Sequence, residues 1–436
     1  MRKDIIKSLI AIKQSEIPFK VIERDVKLPV NRKKIITVPG VRRCGKSTLM
    51  EIAINTLVEE GVPKEKILWL GFDDERLVSM KAEDLDEVIV SYMEMYPDIP
   101  IKDAHIFLDE IQLIEGWEYF VLRVYKSYCK NIFVCGSNAT MLSTELASAL
   151  RGYPLEYETY PLSFNEYCRF KGIDTKSFLE QDKAKVRTAF DAYCCDDSSY
   201  PEVVLTSSKS EQIKLLHAYF DTMILKDLAE HYNISNVSML RYFTKRIMGN
   251  LTKPTSINAI YKDIRSQGLK VNKDDLYLWA DYVCGIFMFL RISKYDRSLA
   301  KEQKSLDKYY CIDNGIRSAV LMPQSGDKGK KFENVIFLEL NRRCGPADKI
   351  YYYQGTAECD FVLQREETVV ELIQATWDLS EPETRQREMT GLLEASKATG
   401  CNSLTIITRD EEAILTEKGK TIYVVPAWKF CCEERR

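Results

Sequence analysis

The residues best suited to chemistry lie in a short segment rich in glycine and basic side chains near the N-terminus. Residues 40–47 read GVRRCGKS and fit the pattern G-x-x-x-x-G-K-[ST] of phosphate-binding loops. The backbone N–H groups of such a loop form a concave anion site, to which the following helix adds partial positive charge. Lys46 is expected to reach the β- and γ-phosphates of a nucleotide, and Ser47 to bind Mg²⁺. The predicted nucleotide contacts are Gly40, Val41, Arg42, Arg43, Cys44, Gly45, Lys46, Ser47 and Thr48.

Two carboxylates end an apolar run further along the chain, where residues 105–111 read HIFLDEI. Asp109 is predicted to orient Mg²⁺ through its water shell, and Glu110 to polarise the attacking water as a general base. Apolar runs that end in Asp-Glu are common in proteins. Because this one follows a phosphate-binding loop, we interpret the pair as the metal-orienting and water-activating groups of an ATPase rather than as an exposed strand end.

Three further residues are candidates for contacts with the γ-phosphate. Residues 134–138 (VCGSN) end the next apolar run, so Ser137 or Asn138 could sense the phosphate or hold the attacking water. A turn-forming Ser-Asn pair is the alternative. Arg151 is a candidate arginine finger, acting within its own chain or from a neighbouring copy, or else an ordinary surface arginine. The predicted catalytic set is Lys46, Glu110, Asn138 and Arg151.

Cys44 lies inside the phosphate-binding loop, close to Lys46 and to the start of the expected helix. Positive charge and a helix N-terminus lower the pKa of a thiol and favour the thiolate. The position therefore predicts a reactive thiol that bound ATP would protect from alkylation. The alternative is that Cys44 is an ordinary small loop residue.

The elements that must hold these residues alternate between strand and helix. After Gly45, an apolar stripe from Leu49 to Val58 predicts a helix that ends at Gly61. Short apolar runs bounded by charged residues or glycine predict strands at 34–39, 67–72, 104–110 and 131–138. Alternating strands and helices predict a parallel α/β sheet, in this case the sheet of a P-loop NTPase.

Beyond about Tyr157 the pattern changes to helical, aromatic-rich segments. Two helices, at 257–267 and 273–283, then precede two strands, which is the order of a winged helix. From Phe332 the order becomes helix, three strands, helix and strand, after a linker at 324–331. The expected domains are an ATPase core at 1–157, a helical lid and winged-helix region at 158–323, and a small α/β domain at 324–436.

The composition indicates a globular, cytoplasmic protein of two or three domains. The 436 residues are 45% hydrophobic and 29% charged, and no window holds the ~18–20 uncharged apolar residues of a membrane helix. The N-terminus begins with basic residues, but charged residues interrupt the apolar run that follows too early for a convincing signal peptide. Thirteen cysteines without a C-x-x-C, and only three histidines, favour reduced thiols over disulfides or a zinc site. With a net charge of −3, the chain as a whole lacks the excess positive charge that indicates binding to nucleic acid.

This combination of motifs resembles the prokaryotic AAA-type ATPases related to the STAND and archaeal-type ATPases, which carry a C-terminal domain of unknown function with a restriction-endonuclease-like fold. The resemblance implies an ATPase core, a helical and winged-helix middle and a nuclease-like C-terminal domain. The stretches that carry it are GVRRCGKSTLM (40–50), FLDEIQLIEGWEYFV (107–121), CGSNATMLSTELASALRG (135–152), YPLSFNEY (160–167), YPEVVL (200–205) and FENVIFLEL (332–340).

The resemblance can be tested residue by residue in the C-terminal domain. Active members of the nuclease superfamily use a helix Glu, a strand Asp and then E-x-K or Q-x-K to bind Mg²⁺ and orient water. Glu333 fits the helix position and Asp360 the strand position. The next strand offers two registers, Gln374 with Thr376 or Glu371 with Ile373. Neither register keeps the lysine, so we expect a nuclease-like domain without nuclease activity. The alternative for Glu333 and Asp360 is a pair of buried, hydrogen-bonded carboxylates with no role in a site.

These observations together predict an ATP-binding and ATP-hydrolysing switch that uses Mg²⁺ and presents its C-terminal domain to an unknown protein partner. No N-K-x-D follows the fourth strand, which favours ATP over GTP. The alternative is an ATP-regulated DNA-processing enzyme with an active Mg²⁺-dependent nuclease domain, and a third is a scaffold that turns over little nucleotide. Oligomerisation is compatible with either. DNA is a candidate partner through basic residues of the winged-helix region, namely Lys262, Arg265, Lys270, Lys273, Arg291 and Lys294.

Overall fold

The computed structural model describes residues 2–136, 152–177, 179–298, 302, 305–322 and 327–433. The chain divides into two compact units. The first comprises Met1–Pro161 with Gly285–Phe287, and the second comprises Leu162–Cys284 with Met288–Arg436. Within the described ranges, none of the helices combines the length and the apolar character that crossing a membrane requires.

The first unit is built on a five-stranded sheet in which every pair of neighbours is parallel. The order β2-β3-β4-β1-β5 places the strand before the phosphate-binding loop beside β4, and β4 beside the strand that ends in Asp109. The strands are β1 (Ile35–Pro39), β2 (Ile67–Gly71), β3 (His105–Asp109), β4 (Ile132–Gly136) and β5 (Pro154–Glu156). The predicted parallel α/β sheet and its first four strands are confirmed.

Helices cover both faces of this sheet, because alternate residues of its buried strands point to opposite sides. One face packs on α2, with Trp69, Phe107 and Phe133 stacked across three neighbouring strands at centroid distances of 6.0 and 4.4 Å. The other face packs on α1, α3 and α4. These helices are α1 (Arg2–Ser15), α2 (Lys46–Glu59), α3 (Asp86–Met95) and α4 (Trp117–Ser127). As predicted, α2 ends just before Gly61, whose φ is 89°.

The second unit begins with helices and then reaches the predicted pair of helices followed by a hairpin. Strand β7 (Phe289–Ile292) runs antiparallel to β8 (Asp307–Cys311), and β6 (Pro254–Thr255) pairs with the other edge of β8. The order of elements agrees with the prediction, and the winged-helix assignment itself stays a prediction. The helices are α5 (Phe164–Phe170), α6 (Glu180–Cys195), α7 (Pro201–Leu205), α8 (Lys209–Thr222), a π-helix (Met223–Glu230), α9 (Val237–Gly249), α10 (Ile257–Ser266) and α11 (Lys273–Gly285).

The second unit continues through α12 (Asn314–Val320) and α13 (Asp327–Arg343) into a six-stranded mixed sheet of order β13-β14-β12-β11-β10-β9. Residues 327–331 of the predicted linker are the start of α13, where the buried Asp327 accepts a 2.7 Å hydrogen bond from Arg317. The sequence analysis also missed the last hairpin and helix. The remaining elements are β9 (Asp348–Gln354), β10 (Glu358–Arg365), β11 (Thr368–Ala375), α14 (Pro382–Thr399), β12 (Leu404–Thr408), β13 (Ala413–Glu417), β14 (Lys420–Pro426) and α15 (Ala427–Cys432).

Candidate functional site

The phosphate-binding motif forms a tight loop between the end of β1 and the start of α2. Arg43 and Gly45 adopt left-handed backbone conformations, with φ of 68° and 98°. Gly40 forms an isolated parallel bridge with Thr159, and a Cβ on Gly40 would lie 2.1 Å from the Thr159 carbonyl oxygen. A side chain therefore cannot be placed at position 40 without displacing backbone, which explains why the loop begins with glycine.

Lys46, the first residue of α2, turns its side chain back over this loop. Its Nζ donates hydrogen bonds to the carbonyl oxygens of Gly40 at 3.1 Å and Val41 at 3.0 Å. Only 5% of the residue is exposed. The ammonium is thus already positioned inside the curve of the loop, which is the location that a contact with nucleotide phosphates requires.

Arg24 donates hydrogen bonds that stabilise the phosphate-binding loop, and sequence analysis did not identify this residue. The buried guanidinium donates from Nη1 to the carbonyl oxygen of Cys44 and from Nη2 to that of Tyr160, both at 2.9 Å. These bonds tie the middle of the loop to the segment that follows β5. Arg24 precedes the sheet in a stretch without helical or strand periodicity, so no local signal distinguished it from a surface arginine.

The structure corrects the prediction that Cys44 is a reactive thiolate. Cys44 is fully buried, and its Sγ donates to the carbonyl oxygen of Thr159 at 3.3 Å. Burial raises the pKa of the Cys44 thiol, and the nearby positive charges of Lys46 and Arg24 offset only part of that effect. The side chain points away from the anion-binding side of the loop, toward the β5 segment. Of the remaining loop residues, Arg42 and Thr48 are half-buried and Arg43 is exposed.

The two residues predicted to serve Mg²⁺ are hydrogen-bonded to each other. Asp109 ends β3, is 8% exposed, and interacts with the Ser47 hydroxyl at the start of α2. Cys135 of β4 donates from Sγ to Asp109 Oδ1 at 2.6 Å. Burial raises the pKa of Asp109 to about 6, against the lowering effect of these two hydrogen bonds. The Ser47 hydroxyl and the buried Asp109 carboxylate lie together, and both supply oxygen atoms, the ligands that Mg²⁺ prefers. The residues present therefore fit this ion.

Glu110 follows Asp109 at the carboxyl edge of the sheet. Its φ of 52° is left-handed, a conformation that costs free energy for a residue other than glycine and often marks functional sites. The Glu110 backbone N–H donates to the carbonyl oxygen of Cys135 at 3.0 Å. Its carboxylate accepts a hydrogen bond from the side-chain amide of Gln112. This geometry fixes the carboxylate beside Asp109, on the same edge as the phosphate-binding loop.

Three of the predicted γ-phosphate contacts lie outside the described residues. These are Ser137, Asn138 and Arg151. The described part of β4 ends at Gly136, immediately before Ser137, on the strand between β1 and β3. The roles assigned to these three residues therefore stay predictions.

In the second unit, the predicted nuclease-like positions partly converge. Asp360 of β10 donates its backbone N–H to Gln374 Oε1 at 2.6 Å, and its Oδ2 accepts from the Ala375 N–H at 2.9 Å. Glu371 instead accepts from Thr405 at 2.7 Å, so the register with Gln374 is the one that reaches Asp360. Thr376 is buried and donates to the carbonyl oxygen of Asp378 at 3.3 Å.

A lysine that sequence analysis missed lies among these carboxylates. Lys308 comes from β8, is fully buried, and places Nζ 3.2 Å from Glu333 Oε1 and 3.6 Å from Asp360 Oδ1. It also forms an ion pair with Glu358. Burial alone would lower the pKa of Lys308, but the three carboxylates outweigh it and raise the pKa. The lysine at the second position of the aromatic strand DKYYC, directly after Asp307, was the available signal.

The arrangement around Lys308 does not fit a metal centre. Its ammonium contacts the same carboxylates that would serve as metal ligands. In the part of the chain that the structure describes, no group of three or more His, Cys, Asp or Glu side chains is placed to hold a metal ion. The cluster of Lys308, Glu333, Glu358 and Asp360 is therefore a buried ionic junction between β8, α13 and β10.

The basic residues of the predicted winged-helix region differ in their surroundings. Arg291 is paired with Asp281 at 2.7 Å. Arg265 and Lys270 line an open cavity of about 600 Å³, which also includes aromatic side chains. Two of these, Tyr232 and Tyr282, are stacked at 3.6 Å between ring centroids. Lys262 and Lys273 are exposed on α10 and at the start of α11, and Lys294 is half-buried.

Comparison with known proteins bears on the first third of the chain most directly. A family model described as "AAA domain" matches residues 32–168, and a model described as a domain of unknown function (DUF8612) matches residues 190–326. An uncharacterized protein of Methanocaldococcus jannaschii is 28% identical over 421 residues, covering 94% of this chain and 91% of the relative. An uncharacterized protein of Haemophilus influenzae is 28% identical over 350 residues, covering 80% and 83%.

Solved structures with partial likeness include Aeropyrum pernix ORC1 in complex with DNA, at 11% identity and a TM-score of 0.30. That match covers 73% of this chain and 91% of the other. Caenorhabditis elegans PCH-2 matches at 15% identity and a TM-score of 0.22, covering 42% and 47%. Neither TM-score establishes a shared overall arrangement. The family match over residues 32–168 supports an AAA-type ATPase domain that contains the phosphate-binding loop, Asp109 and Glu110.

Proposed function

We propose that this protein is an ATP-binding and ATP-hydrolysing molecular switch. The observation that carries the proposal is the meeting of four side chains at the carboxyl edge of the parallel sheet. Lys46 is folded over the loop, Ser47 and Asp109 are hydrogen-bonded to each other, and Glu110 lies beside them. Ligands of open α/β sheets bind at this edge, where loops from neighbouring strands converge.

Each of these residues has a distinct task in the proposed reaction. The loop N–H groups from Gly40 to Thr48 bind the phosphates, and the Lys46 ammonium balances their negative charge. Ser47 and Asp109 would hold Mg²⁺, which when bound neutralises charge on the phosphate oxygens. Glu110 accepts a proton from the attacking water. Asn138 as a γ-phosphate contact and Arg151 as an arginine finger remain parts of the proposal.

We propose that the remainder of the chain responds to whether ATP is bound or hydrolysed. We keep the division into an ATPase core (1–157), a helical and winged-helix region (158–323) and a C-terminal domain (324–436). Support for the second boundary is that the DUF8612 match ends at residue 326, just before α13. The restriction-endonuclease-like assignment stays a hypothesis for the last domain. We expect it to bind a protein partner, while the cavity beside Arg265 and Lys270 keeps DNA as a second candidate partner.

Two substitutions with matched controls test hydrolysis. Lys46→Ala should abolish ATP binding, because it removes the ammonium directed at the phosphates, whereas Lys64→Ala, at an exposed lysine, should not. Glu110→Gln should bind ATP with wild-type affinity and lose turnover, whereas Glu115→Gln, at an exposed glutamate, should keep it. Binding is measured by calorimetry with ATP and Mg²⁺, and hydrolysis by phosphate release. Wild-type turnover in Glu110→Gln would show that Glu110 is not the base.

A second candidate function, an active nuclease, is favoured by one observation. Lys308 supplies the ammonium beside Asp360 that the sequence motif lacks. Against it, the ammonium contacts the carboxylates directly, and the donor set does not fit a metal ion. We therefore expect no cleavage of linear, circular or single-stranded DNA with Mg²⁺ or Mn²⁺, with or without ATP. Cleavage that is lost in both Asp360→Ala and Lys308→Met would establish the nuclease instead.

A further inference from the structure

Gln112 is a buried polar residue next to the proposed general base. It lies two residues after Glu110, in a short 3₁₀ helix (Ile111–Leu113), and only 9% of it is exposed. Its Nε2 donates a hydrogen bond to Glu110 Oε2. This orientation of the amide is required, because a carboxylate only accepts hydrogen bonds and would repel the amide oxygen.

Among the residues that the structure describes, the other end of the amide is an acceptor without a donor. Gln112 Oε1 is buried and has no hydrogen-bond partner within the described ranges. Leaving such an atom unsatisfied costs about 1–3 kcal/mol, and in folded proteins it commonly indicates a bound water or a functional role. An acceptor held beside a general base is suited to receive a hydrogen from the water that the base activates.

The backbone of Gly136 packs against the Gln112 amide and fixes its position. A Cβ at Gly136 would lie 2.1 Å from Gln112 Oε1, 2.5 Å from its Cδ and 2.9 Å from its Nε2. The amide therefore packs directly on the backbone at the end of β4, and any side chain at position 136 would displace it. Because β4 lies between β3 and β1, the contact places Gln112 on the side of Glu110 that faces the phosphate-binding loop.

We propose that Gln112 positions the attacking water for hydrolysis, together with Glu110. Its Nε2 holds one oxygen of the Glu110 carboxylate, and its Oε1 accepts a hydrogen bond from the water whose other proton passes to Glu110. The water oxygen then forms the bond to the γ-phosphorus while the bond to the β,γ-bridging oxygen breaks. This inference rests on the proposed ATPase function and adds to it a residue that no family match assigns.

The central test is Gln112→Met, which keeps the length of the side chain and removes both polar ends. We expect kcat to fall by about 10²-fold, the usual effect of losing one oriented polar group, with ATP affinity unchanged within about twofold. Removing an unsatisfied acceptor should leave the melting temperature unchanged or raise it. A matched control is Gln14→Met, because Gln14 is also buried but bonds Ile67 and Tyr96 instead. It should lower stability without lowering kcat.

A double-mutant cycle separates positioning from general disruption. If Gln112 acts through the water that Glu110 activates, Gln112→Met should cause no further loss in a Glu110→Gln background. Independent, multiplicative losses would overturn the inference, as would wild-type kcat in Gln112→Met. If Glu110→Gln abolishes turnover and Gln112→Met does not, only the role of Gln112 fails. If Glu110→Gln turns over at the wild-type rate, the proposed function loses its base and this inference falls with it.

Discussion

The Ser47 hydroxyl and the Asp109 carboxylate are joined by a hydrogen bond, although they belong to α2 and β3, and β4 separates β3 from the strand before α2. The register of β4 with both neighbours brings the ends of the three strands level. Cys135 at the end of β4 adds a second hydrogen bond to the same carboxylate. The oxygen atoms assigned to Mg²⁺ are therefore preorganised by the sheet and need no rearrangement to meet.

The first prediction follows from this pair. Ser47→Ala and Asp109→Asn should each reduce the difference between ATP affinity measured with Mg²⁺ and with EDTA, because one oxygen donor is lost. Binding of ATP in EDTA should change little, since the loop N–H groups and Lys46 remain. Ser127→Ala, at an exposed serine at the end of α4, serves as the control. Equal Mg²⁺ dependence in all four proteins would remove the assignment.

The second prediction concerns the buried guanidinium of Arg24. Arg24→Lys keeps the charge, but an ammonium cannot reproduce the fork that bonds Cys44 and Tyr160. One carbonyl would lose its donor, at a cost of about 1–3 kcal/mol. We expect a lower melting temperature and roughly tenfold weaker ATP binding, from the loosened loop. Arg32→Lys, at an exposed arginine, should change neither quantity. Unchanged affinity would show that the loop holds its shape without Arg24.

The sequence predicted those features that local patterns determine. The apolar runs around residues 35–39 and 105–109 are buried strands, and the stripe after Gly45 is a helix, because burial imposes a period on side chains. The motif also placed Lys46, Ser47, Asp109 and Glu110 correctly on strand and helix ends. The parallel direction of the strands agrees with the helices that connect them, but the order β2-β3-β4-β1-β5 does not follow the order along the chain.

The features that sequence analysis missed depend on contacts between distant segments. Arg24 reaches the loop from a segment without periodicity, and Lys308 meets Asp360 from a different sheet. Gln112 becomes notable only because Gly136 packs against its amide. Cys44 was predicted to be reactive from its neighbours in sequence, but Thr159 covers it. In each case the deciding contact lies far along the chain, where periodicity and spacing carry no information.

The third prediction compares two cysteines. Burial raises the pKa of Cys44, whereas a hydrogen bond from Cys194 lowers the pKa of Cys195, which is half-buried. Since the thiolate is the nucleophile, iodoacetamide at pH 7.5 should label Cys195 well before Cys44. Labelling of Cys44 should be negligible with or without ATP and Mg²⁺, as peptide mass spectrometry would measure. Rapid labelling of Cys44 that ATP suppresses would restore the thiolate hypothesis.

The fourth prediction concerns pH and His105, which begins β3 and is 8% exposed. Burial lowers the pKa of His105, and the charge of Lys66 lowers it further. The unfolded chain therefore binds this proton more readily than the folded one, so the contribution to stability is complete above pH 6.5 and declines as the pH falls. Between pH 8 and pH 5.5, wild type should lose more urea resistance than His105→Asn. The exposed His217→Asn should behave like wild type.

The last prediction concerns the buried ionic junction of Lys308 with Glu333, Glu358 and Asp360. Lys308→Met keeps most of the apolar stem and removes the ammonium, leaving the largely buried carboxylates of Glu333 and Asp360 and the partly exposed Glu358 to repel one another. Breaking a buried ion pair from one side typically costs about 3–5 kcal/mol, far more than an exposed pair contributes. The matched exposed control is Lys226→Met, which loses only its pair with Glu230 and should change stability by less than about 1 kcal/mol.

Removing one of the negative charges should restore part of the stability that Lys308→Met loses. Asp360→Asn keeps an oxygen for the Ala375 N–H and removes one negative charge, so Lys308→Met with Asp360→Asn should be less destabilised than the sum of the two single changes. Because burial raises the pKa of both Glu333 and Asp360, Lys308→Met should also regain stability as the pH is lowered and these carboxylates take up protons. Urea unfolding of the four proteins at pH 8 and pH 5 measures both effects. Additive losses at both pH values would mean that Lys308 stabilises β8 by packing alone, without balancing the charge of the carboxylates around it.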